Sequence, residues 1–440
     1  MDIVIIFVLC FILLLVSSFK GIFVGYPLFI SLILFILLGV KRKFEMKALI
    51  KMAYDGGKKS LIILKIFILI GAITASWMAA GTVPAIVYYG MKFLNPHIFV
   101  LSAFLISSLV SFLIGTSFGT IGTIGVALMV MARSGNVNAA LTAGAVLSGA
   151  YFGDRCSPMS SSANLIAHLT DTDIYDNIKN MFKTSIVPFL FACILYLIFS
   201  LRYPLSHSGN IINSEIMKVF NVNLITILPA AIILIFSFFK VDVKLLMLIS
   251  ILIACAIAIV LQKVSIVEMT KYLFLGYSMP YENPLKDIIK GGGILSMLKV
   301  SIVVFISSGF TGIFEGTGML DVIETLLRKA KGRYDLFASS ILVSIVSAAF
   351  GCSQTLAVIL THLLIKKSYE ENNIAKESFA VDLENTAIVI SPMIPWNIAV
   401  LVPLTTLGVN LKAIGFAFYL FLIPIINLIY FRFNRKRASI

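Results

Sequence analysis

The sequence predicts an all-α integral membrane protein of about ten transmembrane helices plus two re-entrant hairpins, built as two inverted repeats with broken helices. Three observations carry this. Of the 440 residues, 59% are hydrophobic and only 13% charged, too little polar surface for a soluble domain of that length. Apolar runs of 18–37 residues recur along the whole chain, and about 20 apolar residues span a bilayer as a helix. Polar, Gly- and Pro-rich breaks interrupt several of these runs, and they come in the same order twice. A β-barrel is excluded, because its strands would be alternating segments of about 10 residues.

The runs fall at 2–19, 21–40, 60–92, 97–133, 138–170, 184–202, 222–239, 244–262, 295–328, 334–366, 379–408 and 411–431. The first lacks a basic leader and a second follows within three residues, so it reads as a retained helix. Residues 1–54 then form a two-helix hairpin with a basic loop, 55–170 repeat one, 171–289 linking helices, 290–408 repeat two, and 409–440 a final helix with a basic tail. The net charge of +14 fits the Lys/Arg excess of cytoplasmic loops and needs no nucleic acid. The five cysteines lie in apolar segments without CxxC spacing, so neither a disulfide framework nor a zinc site is expected.

Four landmarks carry the repeat. Gly56-Gly57 with Ser60 matches Gly292-Gly293 with Ser296, "GT" at Gly81 matches Gly316, "GTS" at Gly115 matches "GCS" at Gly351, and "SPM" at Ser157 matches Ser391; the separations are 236, 235, 236 and 234. The runs 97–133 and 334–366 each read as a hairpin. That choice puts both termini and the basic loop Arg328–Arg333 in the cytoplasm of a multi-pass cell-membrane protein, and makes the repeats inverted.

An unpaired backbone group in hydrocarbon costs several kcal/mol, roughly, so a helix unwinds at membrane depth only where protein, water or a ligand satisfies it. "GDRCSPMSSSAN" from Gly153 is such a break: Pro158 lacks an amide hydrogen, and hydroxyls follow. Freed carbonyls and Asp154 can hold a small cation. Asp154, Glu315, Asp382 and Glu384 are the ionisable candidates at depth, with Asp382 reading as a solvated cap. Asp154 beside Arg155 admits a structural ion pair. Trp396 reads equally as an interfacial anchor or a site wall, and Lys65 and Lys299 read as snorkelling lysines.

Together "ASWMAAGTVPAIVYYG", "GTSFGTIGTIGVALM", "SGAYFGDRCSPMSSSANL", "GGGILSML" and "LENTAIVISPMIPWN" resemble the NhaC-type Na+/H+ antiporter family, which also holds malate/lactate exchangers and is grouped with the ion-transporter superfamily. The resemblance covers residues 55–410. It implies secondary transport by alternating access, with Na+ and/or H+ as coupling ions and no prosthetic group. The candidate cation or substrate site takes in Thr116, Ser117, Asp154, Ser157, Ser160, Ser161 and Asn164 from repeat one, of which Asp154, Ser157, Ser160 and Asn164 fit the family pattern. From repeat two come Ser353, Gln354, Glu384, Asn385, Ser391, Trp396 and Asn397, with Na+ near Asp154 and Glu384. Glu315 and His168 are candidate proton relays. The family lysine is Arg155 here, and Ser161 and Asn385 stand where the family commonly has aspartate.

Two functions remain open on the sequence. One is Na+/H+ antiport; the other is a Na+- or H+-coupled carrier of a small organic solute such as an amino acid or carboxylate. Broken helices in repeats argue against a channel, and no nucleophile–base pair or metal spacing suggests an enzyme. The expected partners are the lipid bilayer and small ions or a small solute, with a homodimer admitted and no nucleic acid.

Overall fold

The computed structural model describes residues 2–20, 22–205, 209–237, 239, 241–279, 283, 285–286, 288–318 and 332–435. The loop Arg328–Arg333 therefore lies mostly outside the described residues. Described structure is helical apart from one antiparallel bridge, Tyr277 to Gly291. The helices are α1 (Asp2–Phe19), α2 (Gly25–Lys41), α3 (Met46–Lys59), α4 (Leu61–Ala79), α5 (Thr82–Phe93), α6 (Phe99–Ile114), α7 (Ser117–Ser134), α8 (Ala139–Cys156), α9 (Ser161–Thr170) and α10 (Ile174–Arg202). They continue as α11 (Gly209–Val219), α12 (Leu224–Ser237), α13 (Val243–Val260), α14 (Ile266–Leu275), α15 (Leu298–Thr317), α16 (Gly332–Gly351), α17 (Gln354–Glu371), α18 (Lys376–Leu383), α19 (Ile398–Leu407) and α20 (Phe418–Arg435). Six segments are long and apolar enough to cross a bilayer, two bent pairs pass as broken spans, and four shorter apolar helices accompany them.

The backbone fixes the register of the repeat. Gly81 and Gly318, Gly115 and Cys352, Asn136 and Asn373, and Asp171 and Gly408 all have positive φ, and each pair is 237 residues apart. These are helix-end positions, where Gly, Asn and Asp tolerate the left-handed region. Ser160 and Asn397, which cap α9 and α19 with their side chains, are separated by the same 237. So are Leu61 and Leu298, where α4 and α15 begin. This corrects the landmarks read from the sequence. The two SPM tripeptides are not equivalent: the counterpart of Ser157 is Ile394, and the counterpart of Ser391 is Asp154. What repeats is proline, Pro158 with Pro395. Each follows an extended residue, Ser157 (φ −86°, ψ 136°) and Ile394 (φ −84°, ψ 115°), as the steric demand of proline on its predecessor requires.

The repeats are related by a two-fold axis. A Cβ on Gly56 would lie 2.4 Å from the Ser308 carbonyl oxygen, and a Cβ on Gly71 would lie 2.5 Å from that of Gly293. Gly293 is the counterpart of Gly56, and Ser308 that of Gly71. One contact is thus made twice with the roles exchanged, which is what a two-fold relation produces.

Each repeat holds a helical hairpin, α6–α7 or α16–α17. In the second, the Gly332 amide donates to Asn372 Oδ1 (3.1 Å) and Ser340 pairs with the Tyr369 hydroxyl (2.9 Å), tying the start of α16 to the end of α17. In the first, Leu205 donates its amide to the Pro96 carbonyl (3.0 Å) and packs its side chain on Gly135, joining the same two ends. Broken helix α8–α9 leaves the first mouth and ends at Asp171, which accepts from Lys376 Nζ (2.8 Å) at the start of α18, beside the second mouth. Broken helix α18–α19 bends by 51° and returns to Leu407 and Gly408. Their carbonyls accept from Arg133 Nη2 (2.7 and 3.0 Å) beside the first mouth. The hairpins therefore open at opposite ends of the bundle, and the repeats are inverted as the hairpin reading expected.

Close backbone approach makes one position sensitive. A Cβ on Gly153 would meet the Ser111 carbonyl carbon at 2.1 Å and the Phe112 amide nitrogen at 2.2 Å. Both are backbone atoms and cannot rotate away. Gly153→Ala is expected to destabilise the α6–α8 contact by about 1–3 kcal/mol. A fall in the thermal unfolding temperature of the detergent-purified protein would show it; an unchanged transition would refute the packing argument.

Candidate ion-binding site

The site starts from the two hairpin tips. Gly115 and Cys352 turn the chain in the left-handed region, Thr116 and Ser353 are extended, and α7 and α17 start at Ser117 and Gln354. Ser117 and Gln354 are again 237 apart, and both donate to the same atom. Ser117 Oγ lies 3.3 Å from Asp154 Oδ2, and Gln354 Nε2 lies 3.0 Å from it. Asp154 sits in the last turn of α8, just before the break, and is buried. Ser160 Oγ donates to the Asp154 backbone carbonyl, lies 3.4 Å from Oδ1, and accepts from the Ser162 and Ala163 amides (3.1 and 3.2 Å). One carboxylate thus gathers both hairpin tips and the cap of the second half-helix.

Glu384 opens a π turn over Glu384–Ile388 that prolongs α18. Such turns are frequent at functional sites, because the wider helix displaces side chains from the regular face. Glu384 is 1% exposed, and neither of its carboxylate oxygens has a hydrogen-bond partner. It lies within electrostatic reach of Arg155 and Asp154. A buried carboxylate without a donor is costly unless a cation or a proton occupies it. That orphaned pair of oxygens, beside a second carboxylate, fits a small monovalent cation. Among the described residues no group of three or more His, Cys, Asp and Glu forms a multivalent-metal cluster.

Arg155 points away from Asp154 and makes no ion pair with it among the described residues. Its Nη1 reaches Ser185 Oγ and the Tyr419 hydroxyl (3.3 Å). Its Nη2 reaches the Met181 carbonyl (3.3 Å), Thr184 Oγ1 (3.0 Å) and Asn385 Oδ1. It ties the broken helix to α10, α20 and the π turn while its charge faces Glu384. Sequence reasoning missed this web, whose partners lie 26–264 positions away.

The remaining sequence candidates divide. Ser157 accepts the Met159 amide (3.1 Å), and Ser391 Oγ donates to the Ala387 carbonyl (2.7 Å); both are local backbone ties. Asn164 donates to the Pro158 and Ser160 carbonyls (3.0 and 2.7 Å), satisfying groups that the break releases. Trp396 is not an interfacial anchor. It is fully buried, donates to the Ala349 carbonyl (2.6 Å) and meets Phe11 edge-on. Asn397 caps α19 and donates to the Ala348 carbonyl (2.8 Å). Ser161 and His168 are exposed on α9, and Glu315 is exposed near the end of α15. Asp382 is no solvated cap: it is buried, gripped by both Arg333 amino groups and the Tyr369 hydroxyl (2.7 Å).

Removing one member of a buried charge set strands the others, at a cost of about 3–5 kcal/mol. Arg155→Ala is therefore expected to lower the unfolding temperature sharply, and Arg155→Lys, which keeps the charge but loses the fork, less so. Equal stability of the three proteins would show that the web carries no load.

Comparison with known proteins agrees with this geometry. The model of the Na+/H+ antiporter family matches residues 1–161 and 149–435. The chain is 30% identical over 403 residues to the "Malate-2H(+)/Na(+)-lactate antiporter" of Bacillus subtilis, covering 89% of this chain and 86% of that one. It is 29% identical over 382 residues to "Na(+)/H(+) antiporter NhaC" of Alkalihalophilus pseudofirmus, covering 86% and 83%. It is 28% identical over 374 residues to the "Arginine/ornithine antiporter ArcD" of Halobacterium salinarum, covering 81% and 76%. With its inverted repeats, paired hairpins and buried carboxylates, the chain belongs to the Na+/H+ antiporter family.

Proposed function

We propose that this protein is a secondary active transporter that exchanges Na+ for H+ across the cell membrane. Asp154 and Glu384 would be loaded alternately with cation and proton. The observation that carries this reading is the buried Glu384 carboxylate with both oxygens orphaned, in electrostatic contact with Asp154 at the meeting of the hairpin tips. Ser117, Gln354 and Ser160 hold Asp154 in place, and hydroxyl and carbonyl oxygens at the break complete an oxygen-rich surround. Two carboxylates and Arg155 leave the unloaded site negatively charged. Moving that charge through a low-dielectric barrier is costly, so the empty site does not reorient freely, whereas the site loaded with Na+ or a proton does. Exchange follows from that restriction.

The Lys41–Asp2 pair (2.5 Å) puts the N-terminus beside the basic stretch Lys41–Lys43 at one end of α1–α2. The positive-inside rule makes that end cytoplasmic, in keeping with both termini inside. Carriage of an organic solute is the second reading, favoured by two relatives named for lactate, malate, arginine or ornithine and by the neutral Ser161 and Asn385.

Asp154→Asn and Glu384→Gln, purified and reconstituted with a trapped pH dye, should each reduce Na+-driven proton movement to the level of empty vesicles. Wild-type rates in both variants would place the ion elsewhere. In the same vesicles, wild type should move protons on Na+ addition with no solute present. Movement only after lactate, malate or arginine is added would favour the second reading.

A further inference from the structure

Two cavities open at opposite ends of the bundle. One, of about 570 Å³, is lined by Asn164, His168, Asp171 and Asp173 among others, along the exposed face of α9. Asn164, which holds the carbonyls of the break, stands at its inner end, so it leads toward Ser160 and Asp154. Lys376 beside Asp171 holds that carboxyl below the usual range. The other cavity, of about 280 Å³, lies between the α1–α2 turn, the start of α15 and the end of α19. Six of its lining residues are Leu401, Leu404, Thr405, Val409, Asn410 and Leu411. Each stands 237 positions after one of the seven residues that line the first cavity. The register was set by backbone angles and helix caps alone, so this coincidence is independent of it.

We propose that the smaller cleft is the second access vestibule, through which the same small cation meets the site from the opposite side of the membrane. The two-fold axis that carries α9 onto α19 carries one vestibule onto the other, as alternating access by exchange of equivalent conformations requires. The chemistry has diverged. Asn164 and His168 have Leu401 and Thr405 as counterparts, Asp173 has Asn410, and the charge in the smaller cleft is Lys299. The acidic vestibule raises the local cation concentration and the other does not. The smaller cleft is bounded by the end of α19, the start of α15 and the α1–α2 turn.

This assignment rests on the transporter reading, but its test does not need Na+/H+ exchange. Thr405→Cys and, as a second position, Asn410→Cys would be treated in intact cells and in inverted vesicles with a cationic, membrane-impermeant methanethiosulfonate. Wild type, with its five native cysteines, is the blank, and His168→Cys reports the acidic vestibule. Both cleft cysteines should react from the side opposite to that on which His168→Cys reacts. Any change of Na+ or pH that speeds one should slow the other. Cleft cysteines that stay unreactive from both sides, react from the His168 side, or change rate in step with His168→Cys would overturn the proposal. Reciprocal labelling in a protein that moves neither Na+ nor protons would keep the vestibules and sink the Na+/H+ reading instead.

Discussion

The structure depends on one carboxylate and the three segments that converge on it. Asp154 accepts from Ser117 of one hairpin tip and Gln354 of the other, while Ser160, which caps the following half-helix, closes over its backbone carbonyl. Hydrogen bonds to an ionised group contribute about 1.5–3 kcal/mol each, and no other described group holds both tips at once. Two hairpins entering from opposite ends would otherwise meet through breaks with unpaired backbone. The carboxylate proposed to serve the ion is thus also a pin across the break.

Much of this was legible in the sequence. Long apolar runs gave the class, and breaks recurring in order gave the repeat, because glycine and proline mark places where helices stop in any context. The register was harder. "SPM" occurs twice, yet the copies sit three residues out of phase with the backbone. Pro158 and Pro395 are equivalent because each forces its predecessor to be extended, whereas the serines beside them follow no such rule. Short identical words carry less information than a pair of left-handed residues, and those can be read only from coordinates.

The site divides in the same way. Asp154 and Glu384 stand out on composition, since a carboxylate inside an apolar run needs a reason. The roles of their neighbours depend on packing between distant segments. Trp396, a plausible site wall by type, spends its indole nitrogen on the Ala349 carbonyl, and Asn397 spends its amide on Ala348. Asp382 looked like a helix-start acid until Arg333, 49 positions earlier, closed on it. No local pattern distinguishes these cases, because the decisive partner is set by the fold.

The scaffold is two-fold, but its charge is not. Asp154 has Ser391 as counterpart, Arg155 has Pro392, and Glu384 has Leu147. Equivalent work is kept by Ser117 and Gln354, the two donors to the shared carboxylate, and by the helix caps Ser160 and Asn397. A symmetric framework supplies two conformations of similar energy, which alternating access needs. A symmetric charge set would supply two ion sites, and the pseudo-axis would then lie between like charges in a low-dielectric interior. Holding the carboxylates and the guanidinium in one cluster avoids that repulsion. In the proposed mechanism the axis would carry a single site between two approaches, the symmetry of the helices serving access, not binding.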